Sequence, residues 1–167
     1  MLKEKKHISA RGIEIKSEKA KKCVEHGLSV LHGDLDEGLR HYKDDSFDYV
    51  IFNQTIQVVK NSLHVLKEAL RVGNKVLVSF PNFANWQTRL SFVFSGRMPK
   101  SKALPYEWYN TPNIRVLTVK DFRALCKDNK LKVIKQFNYI KNNGKSRLAH
   151  ICPNLFATNS LFLVTKK

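Results

Sequence analysis

Residues 10–15 read ARGIEI, a short strand closed by the carboxylate of Glu14, and a helix is predicted to start at Ser17. In α/β sheets that bind nucleotides this arrangement is normally the second strand, so the stretch raises the question of where the first one lies. Downstream, Ala20, Cys23 and Val24 share one helical face and Gly27 closes the helix. LSVLHGD (28–34) reads as the next strand, ending at Asp34. SFDYVIF (46–52) is a third, and its unbroken apolar run predicts burial on both faces. KNSLHVLKEALRVG (60–73) is a helix with Leu63, Leu66 and Leu70 on one side and Gly73 just past its end. NKVLVSF (74–80) is the fourth strand. Strand and helix patterns in alternation predict an α/β sheet.

From Pro81 to Leu117 the alternation stops. The stretch holds Trp86, Trp108, Tyr106, Tyr109, Arg89 and Arg97, and is too long for an ordinary connection; loops of this size are usually functional. Its aromatics either form a lid or docking surface, with the arginines receiving an acidic group, or pack a small satellite core. A helix then restarts, because Thr118 and Asp121 have capping-box spacing and Phe122, Leu125 and Cys126 share a face. LKVIKQFNYI (131–140) and SLFLVTK (160–166) are the last two strands. We read residues 1–167 as one domain with an aromatic-rich insertion at about 82–117.

Composition narrows the function classes. With 43% hydrophobic residues the chain can bury a core, yet no apolar run approaches the ~20 residues of a membrane span. Cys23, Cys126 and Cys152 stand apart, which argues against a disulfide framework or zinc site and suits a reducing, cytoplasmic compartment. A net charge of +16 attracts polyanions in general, but the lysines are scattered and form no nucleic-acid-binding block, so we expect no nucleic-acid partner. Asp34, Asp36 and Glu37 are hard oxygen donors without the remaining positions of a calcium loop, and the histidines form no ligand pair, so no metal is expected. Ser79 and Ser101 lack a nucleophile-elbow context.

The chemistry-bearing pattern is a pair of acids. In parallel sheets ligands bind at the carboxyl ends of strands, and Glu14 and Asp34 close two strands in succession. A carboxylate at the first position can accept both hydroxyls of a ribose. An acid at the second can accept from an adenine amino group, with Leu35 offering a backbone amide and an apolar face. Asn53, Gln54 and Thr55 close the third strand and either line the site or cap the loop. SFPNF (79–83) is superficially similar to the proline-containing loop of amino-group methyltransferases, but it follows the wrong strand for that role.

GIEI (12–15), GDLDEGL (33–39), SFDYVIFNQTIQVV (46–59), LRVG (70–73), VSFPNF (78–83), GRMPKSKALPYEWYNTPNI (96–114), the Asp121–Phe122 pair and PNLFA (153–157) together resemble the methionine biosynthesis protein MetW family. The resemblance implies a Rossmann-like class I methyltransferase fold, mostly parallel with a C-terminal antiparallel strand. It implies S-adenosylmethionine as cofactor, with Glu14 as the ribose acid, Asp34 and Leu35 on the adenine side and Asn53 lining the site. It also implies a role at the acylation of homoserine, with a homoserine O-acyltransferase as partner. The chain is then either a methyltransferase-like enzyme or a non-enzymatic regulator; a basic RNA methyltransferase-like module is a third alternative. Lys16 stands where the family more often has an acid. The family's first strand and glycine-rich loop, which let the backbone approach the cofactor, have no counterpart here. By the resemblance that strand lies between the Glu14 strand and SFDYVIF, and we expect an upstream in-frame extension of roughly 30 residues to encode it. The chain as given is expected to bind S-adenosylmethionine poorly.

Overall fold

The computed structural model describes residues 8–100, 104–142 and 145–167. Strand β1 (Arg11–Glu14) pairs in parallel with β2 (Ser29–His32), with Glu14 opposite His32. Between them runs α1 (Ser17–Glu25), whose sole buried residue is Ala20. Gly27, at φ +73°, makes the left-handed turn that ends the helix as its residue type predicts.

The second sheet has the order β3-β4-β7-β5-β6, from β3 (Phe47–Asn53), β4 (Gly73–Pro81), β5 (Leu131–Asn142), β6 (Lys145–Leu148) and β7 (Asn159–Lys166). β3 and β4 are parallel, while β7 is antiparallel to both β4 and β5. Strands β3, β4 and β5 therefore share one direction, and the C-terminal strand is the reversed one that the family resemblance implies. Two helices cover one side: α2 (Ser62–Val72), between β3 and β4, and α4 (Val119–Asp128), before β5. Helix α3 (Trp86–Ser95) and the short α5 (Pro153–Phe156) complete the list. Helices α3 and α5 and strand β6 went unpredicted, the first because it carries no inward apolar stripe.

One cluster forms the core. Val76, Val78 and Phe80 of β4 and Phe162 and Val164 of β7 meet Leu66, Ala69 and Leu70 of α2 and Val119, Phe122 and Cys126 of α4. The rings of Phe80, Phe122 and Phe162 lie 4.8–5.7 Å apart, centroid to centroid. Burial pushes the Cys126 thiol up to about 11, so it packs as a small hydrophobe. In α2 the inward set is Val65, Leu66, Ala69 and Leu70 with Val72, whereas the predicted Leu63 is half-buried. Gly73 does more than end that helix. It opens β4 against Phe47, where a Cβ would stand 2.6 Å from Val50 Cγ2.

Burial of SFDYVIF on both faces is corrected. Phe52 is buried, but Tyr49 and Ile51, on the alternate face, are 54% and 62% exposed. The helices pack on the Val50–Phe52 side alone, and the other face stays open at β3. At Tyr49 it meets Lys75, whose Nζ sits 5.4 Å from the ring centroid. Strands β1 and β3 do not pair with each other. Among the described residues each has one strand partner, so both carry a parallel edge whose backbone groups lack a ladder.

Asp36 helps tie the two sheets together. Both oxygens of Asp36, in the single 3-10 turn Leu35–Glu37, accept from the amides of Lys60 and Asn61 at 2.8 Å, just ahead of α2. Asp36 thus spends its carboxylate on backbone, and no group of three or more His, Cys, Asp or Glu side chains able to hold a metal occurs among the described residues.

Candidate site at the carboxyl ends of the strands

Parallel pairing with Glu14 opposite His32 puts the ends of β1 and β2 side by side, and one backbone and one side-chain contact hold them there. The Gly33 amide donates to Glu14 O at 3.2 Å, and His32 Nε2 lies 3.0 Å from Ile15 O. Glu14 Oε1 accepts from the Lys16 amide at 3.0 Å. Asp34 Oδ1 accepts from the Asp36 amide at 2.9 Å and so begins the 3-10 turn. Each carboxylate is half-buried with one oxygen engaged in orienting it. The second oxygen of each has no hydrogen bond among the described residues. Glu14 at the end of β1 and Asp34, two residues past β2, each keep an acceptor oxygen able to take a donated hydrogen. Leu35 is half-buried and packs against the hydrophobic core.

At the end of β3 the loop is tightly organised. Asn53 Oδ1 accepts from Ser79 Oγ at 2.9 Å, and the Gln54 amide donates to both the carbonyl and Oγ of Ser79. Gln54 has φ +53°, a left-handed conformation uncommon for a residue with a Cβ and typical of strained functional turns. Gln57 is 2% exposed, and its Oε1 is buried without a hydrogen-bond partner. Such an orphan is rare in folded chains. Our reading of the sequence passed over Gln57, although a glutamine inside the apolar run TIQVV is a detectable signal. The side chains at this end are amides and hydroxyls, and none is a ready proton acceptor.

The insertion is rooted by asparagines. Asn82 Nδ2 donates to the carbonyls of Asn154 and Ala157, while its Oδ1 accepts from the amides of Ala84 and Val119. Asn85 Nδ2 donates to the carbonyls of Phe156 and Ala157, and its Oδ1 caps α3 through the Gln87 amide. SFPNF is therefore the joint that fastens PNLFA beneath the insertion. At the far end the Phe83 amide reaches Leu117 O and the Arg115 amide reaches Gln57 O, which holds the insertion next to the β3 loop.

Within the insertion the aromatics face solvent. Trp86 is 42% exposed, Tyr106 49%, Trp108 74% and Tyr109 70%, so they do not pack a satellite core. Trp108 and Tyr109 touch edge to face at 5.6 Å. Arg89 turns back on its own helix, with Nε donating to Ala84 O at 2.7 Å. The Arg97 guanidinium is unpaired among the described residues. Lys100 pairs with Glu107.

Comparison with known proteins agrees with the fold. A family model described as methionine biosynthesis protein MetW matches residues 1–164. A bifunctional methionine biosynthesis protein MetXA/MetW from Rhodopirellula baltica is 44% identical over 115 residues, covering 68% of this chain and 18% of that protein. This chain thus spans less than a fifth of the curated relative. Among solved structures, an S-adenosylmethionine-dependent methyltransferase from Thermotoga maritima superposes with a TM-score of 0.69 at 19% identity, over 94% of this chain and 72% of the other. One from Archaeoglobus fulgidus gives 0.67 at 12%, over 99% and 79%. The magnesium protoporphyrin IX methyltransferase of Synechocystis, solved with S-adenosylhomocysteine, gives 0.60 at 11%, over 94% and 64%. At these identities the likeness is one of fold. No helix among the described residues is long and apolar enough to cross a membrane.

Proposed function

The chain belongs to the methionine biosynthesis protein MetW family and has its methyltransferase-like α/β fold, and from that premise we propose that it acts at the O-acylation of homoserine as a partner of the acyltransferase, with an adenosine-recognising site at Glu14 and Asp34. The observation that carries the site is the pairing of β1 and β2, which sets Glu14 at the end of one strand and Asp34 two residues past the other, each with a free acceptor oxygen. The partnership is supported by the relative named for both MetXA and MetW in one chain. S-adenosylmethionine supplies an electrophilic methyl group wherever it is bound in this fold. The residues in hand fit its adenosine half. The nearest glycines in the sequence, Gly33 and Gly38, are five positions apart, so no Gly-x-Gly turn is present to receive the methionine half. Recognition of the adenosine half is the role we assign to these residues.

Saturation-transfer NMR with S-adenosylmethionine tests the site. The adenine and ribose protons are expected to receive saturation and the methionine protons to receive little. Calorimetry on the 167-residue chain should show weak heat. Glu14→Ala is expected to weaken the adenosine signal about tenfold, the scale of one hydrogen bond to a charged group. Equal saturation of both halves, or an affinity untouched by Glu14→Ala, would remove these acids from the site.

A further inference from the structure

Helix α3 is inverted. None of its ten residues is buried, and the half-buried ones are Thr88 and Ser91, small and polar. At 100° per residue those two mark the inner side, and Trp86, Leu90 and Val93 fall on the side away from it. Leu90, Val93 and Phe94 are 45%, 73% and 82% exposed. A surface helix commonly turns its apolar residues toward the core. This one turns them out, at the i, i+4, i+7 spacing by which a helix anchors in a groove of another protein. Gly96 ends the helix at φ +62°, and Arg97 follows with its guanidinium unpaired among the described residues. The chain carries +16 overall. A second copy would bring the same basic surface, so self-pairing through α3 is opposed by charge, and an apolar groove rimmed by carboxylates is the complementary shape.

We propose that the outward face of α3 is the surface by which this chain docks the homoserine O-acyltransferase, into an apolar groove with an acidic rim. This rests on the partnership proposed above. Trp86, Leu90 and Val93 form the row that enters the groove, Phe94 flanks it, and Arg97 meets the rim.

The test is a binding titration of the purified acyltransferase from the same organism against this chain and its Val93→Asp, Phe94→Asp and Arg97→Glu variants, with a thermal melt of each. Wild type is expected to bind saturably, and more weakly as salt rises. Val93→Asp and Phe94→Asp should each cut affinity about tenfold or more, with melting temperatures unchanged because both side chains are exposed. Arg97→Glu should weaken binding at low salt and reduce its salt dependence. If wild type does not bind, the partnership fails and this surface with it. If wild type binds and the aspartate variants bind equally well, the partnership stands and the surface assignment falls. Lower melting temperatures in both aspartate variants would show that the chain covers α3 itself. Phe94-dependent sedimentation with phosphatidylglycerol vesicles, without acyltransferase binding, would make the occupant a lipid surface. Either result overturns the proposal.

Discussion

Asn82→Ala is expected to lower the unfolding free energy by about 3–4 kcal/mol, read as a shift of the urea midpoint at constant m. The side chain is 3% exposed and makes four hydrogen bonds: two donated to the carbonyls of Asn154 and Ala157, two accepted from the amides of Ala84 and Val119. Each intact bond contributes about 1 kcal/mol net, and a buried group left without a partner costs more. Val119 is the first residue of α4, whose amide has no partner within the helix, so loss of Asn82 strips a helix start as well. The carbonyl of Ala157 keeps a second donor, Asn85 Nδ2, which limits the damage there. A shift below about 1 kcal/mol would show that water replaces the amide and that the joint is not structural. The consequence for function is geometric, since this joint roots α3 and PNLFA at the carboxyl end of β4.

Arg71→Ala is expected to lower the urea midpoint at pH 7, and to lower it less as the solution is acidified. Arg71 donates Nε and Nη2 to the two oxygens of Glu68, Nη1 to Asp44 and to Tyr42 O, and Nη2 to Leu39 O. The Leu39 amide also donates to Glu68. One guanidinium thereby clamps residues 39–44 onto α2, behind the turn that carries Asp34 and Asp36. The hydrogen bonds from Arg71 hold the Glu68 carboxyl well below its usual range, at about 2 against 4.5, with burial opposing and the Leu39 amide assisting. Its folded value is depressed, so the stability it contributes is complete above pH 4.5 and is lost as pH falls toward 2. Arg71 itself is shifted further upward by Glu68 and Asp44 and remains charged throughout. The gap between wild type and Arg71→Ala should therefore narrow between pH 4.5 and pH 2, leaving the part due to the abandoned carbonyls. A gap constant across that range would mean the ion pair contributes nothing and only the carbonyl bonds matter.

How much of this was legible beforehand depended on distance along the chain. The capping box at Thr118 and Asp121 is present as its spacing predicted, because both partners lie within one helical turn. Glu14 closes β1 as its local pattern predicted, whereas Asp34 lies two residues past the end of β2 and caps the 3-10 turn. Leu63 was misjudged and Val65 overlooked in α2 because a helix stripe fixes a face only to within one residue. Gln57 was overlooked because a buried orphan is defined by what surrounds it.

The sequence by itself determined the α/β class and the family. Periodicity and short motifs are properties of neighbouring residues, and they survive without knowledge of the fold. Only the tertiary structure decided that Tyr49 and Ile51 face an open side, that α3 turns its apolar residues outward, and that Asp36 and the asparagines of SFPNF are joints. Those outcomes depend on which faces find cover and on partners far away in sequence, such as the 75 positions separating Asn82 from Ala157. An apolar residue states that it is better covered; what covers it is settled by packing.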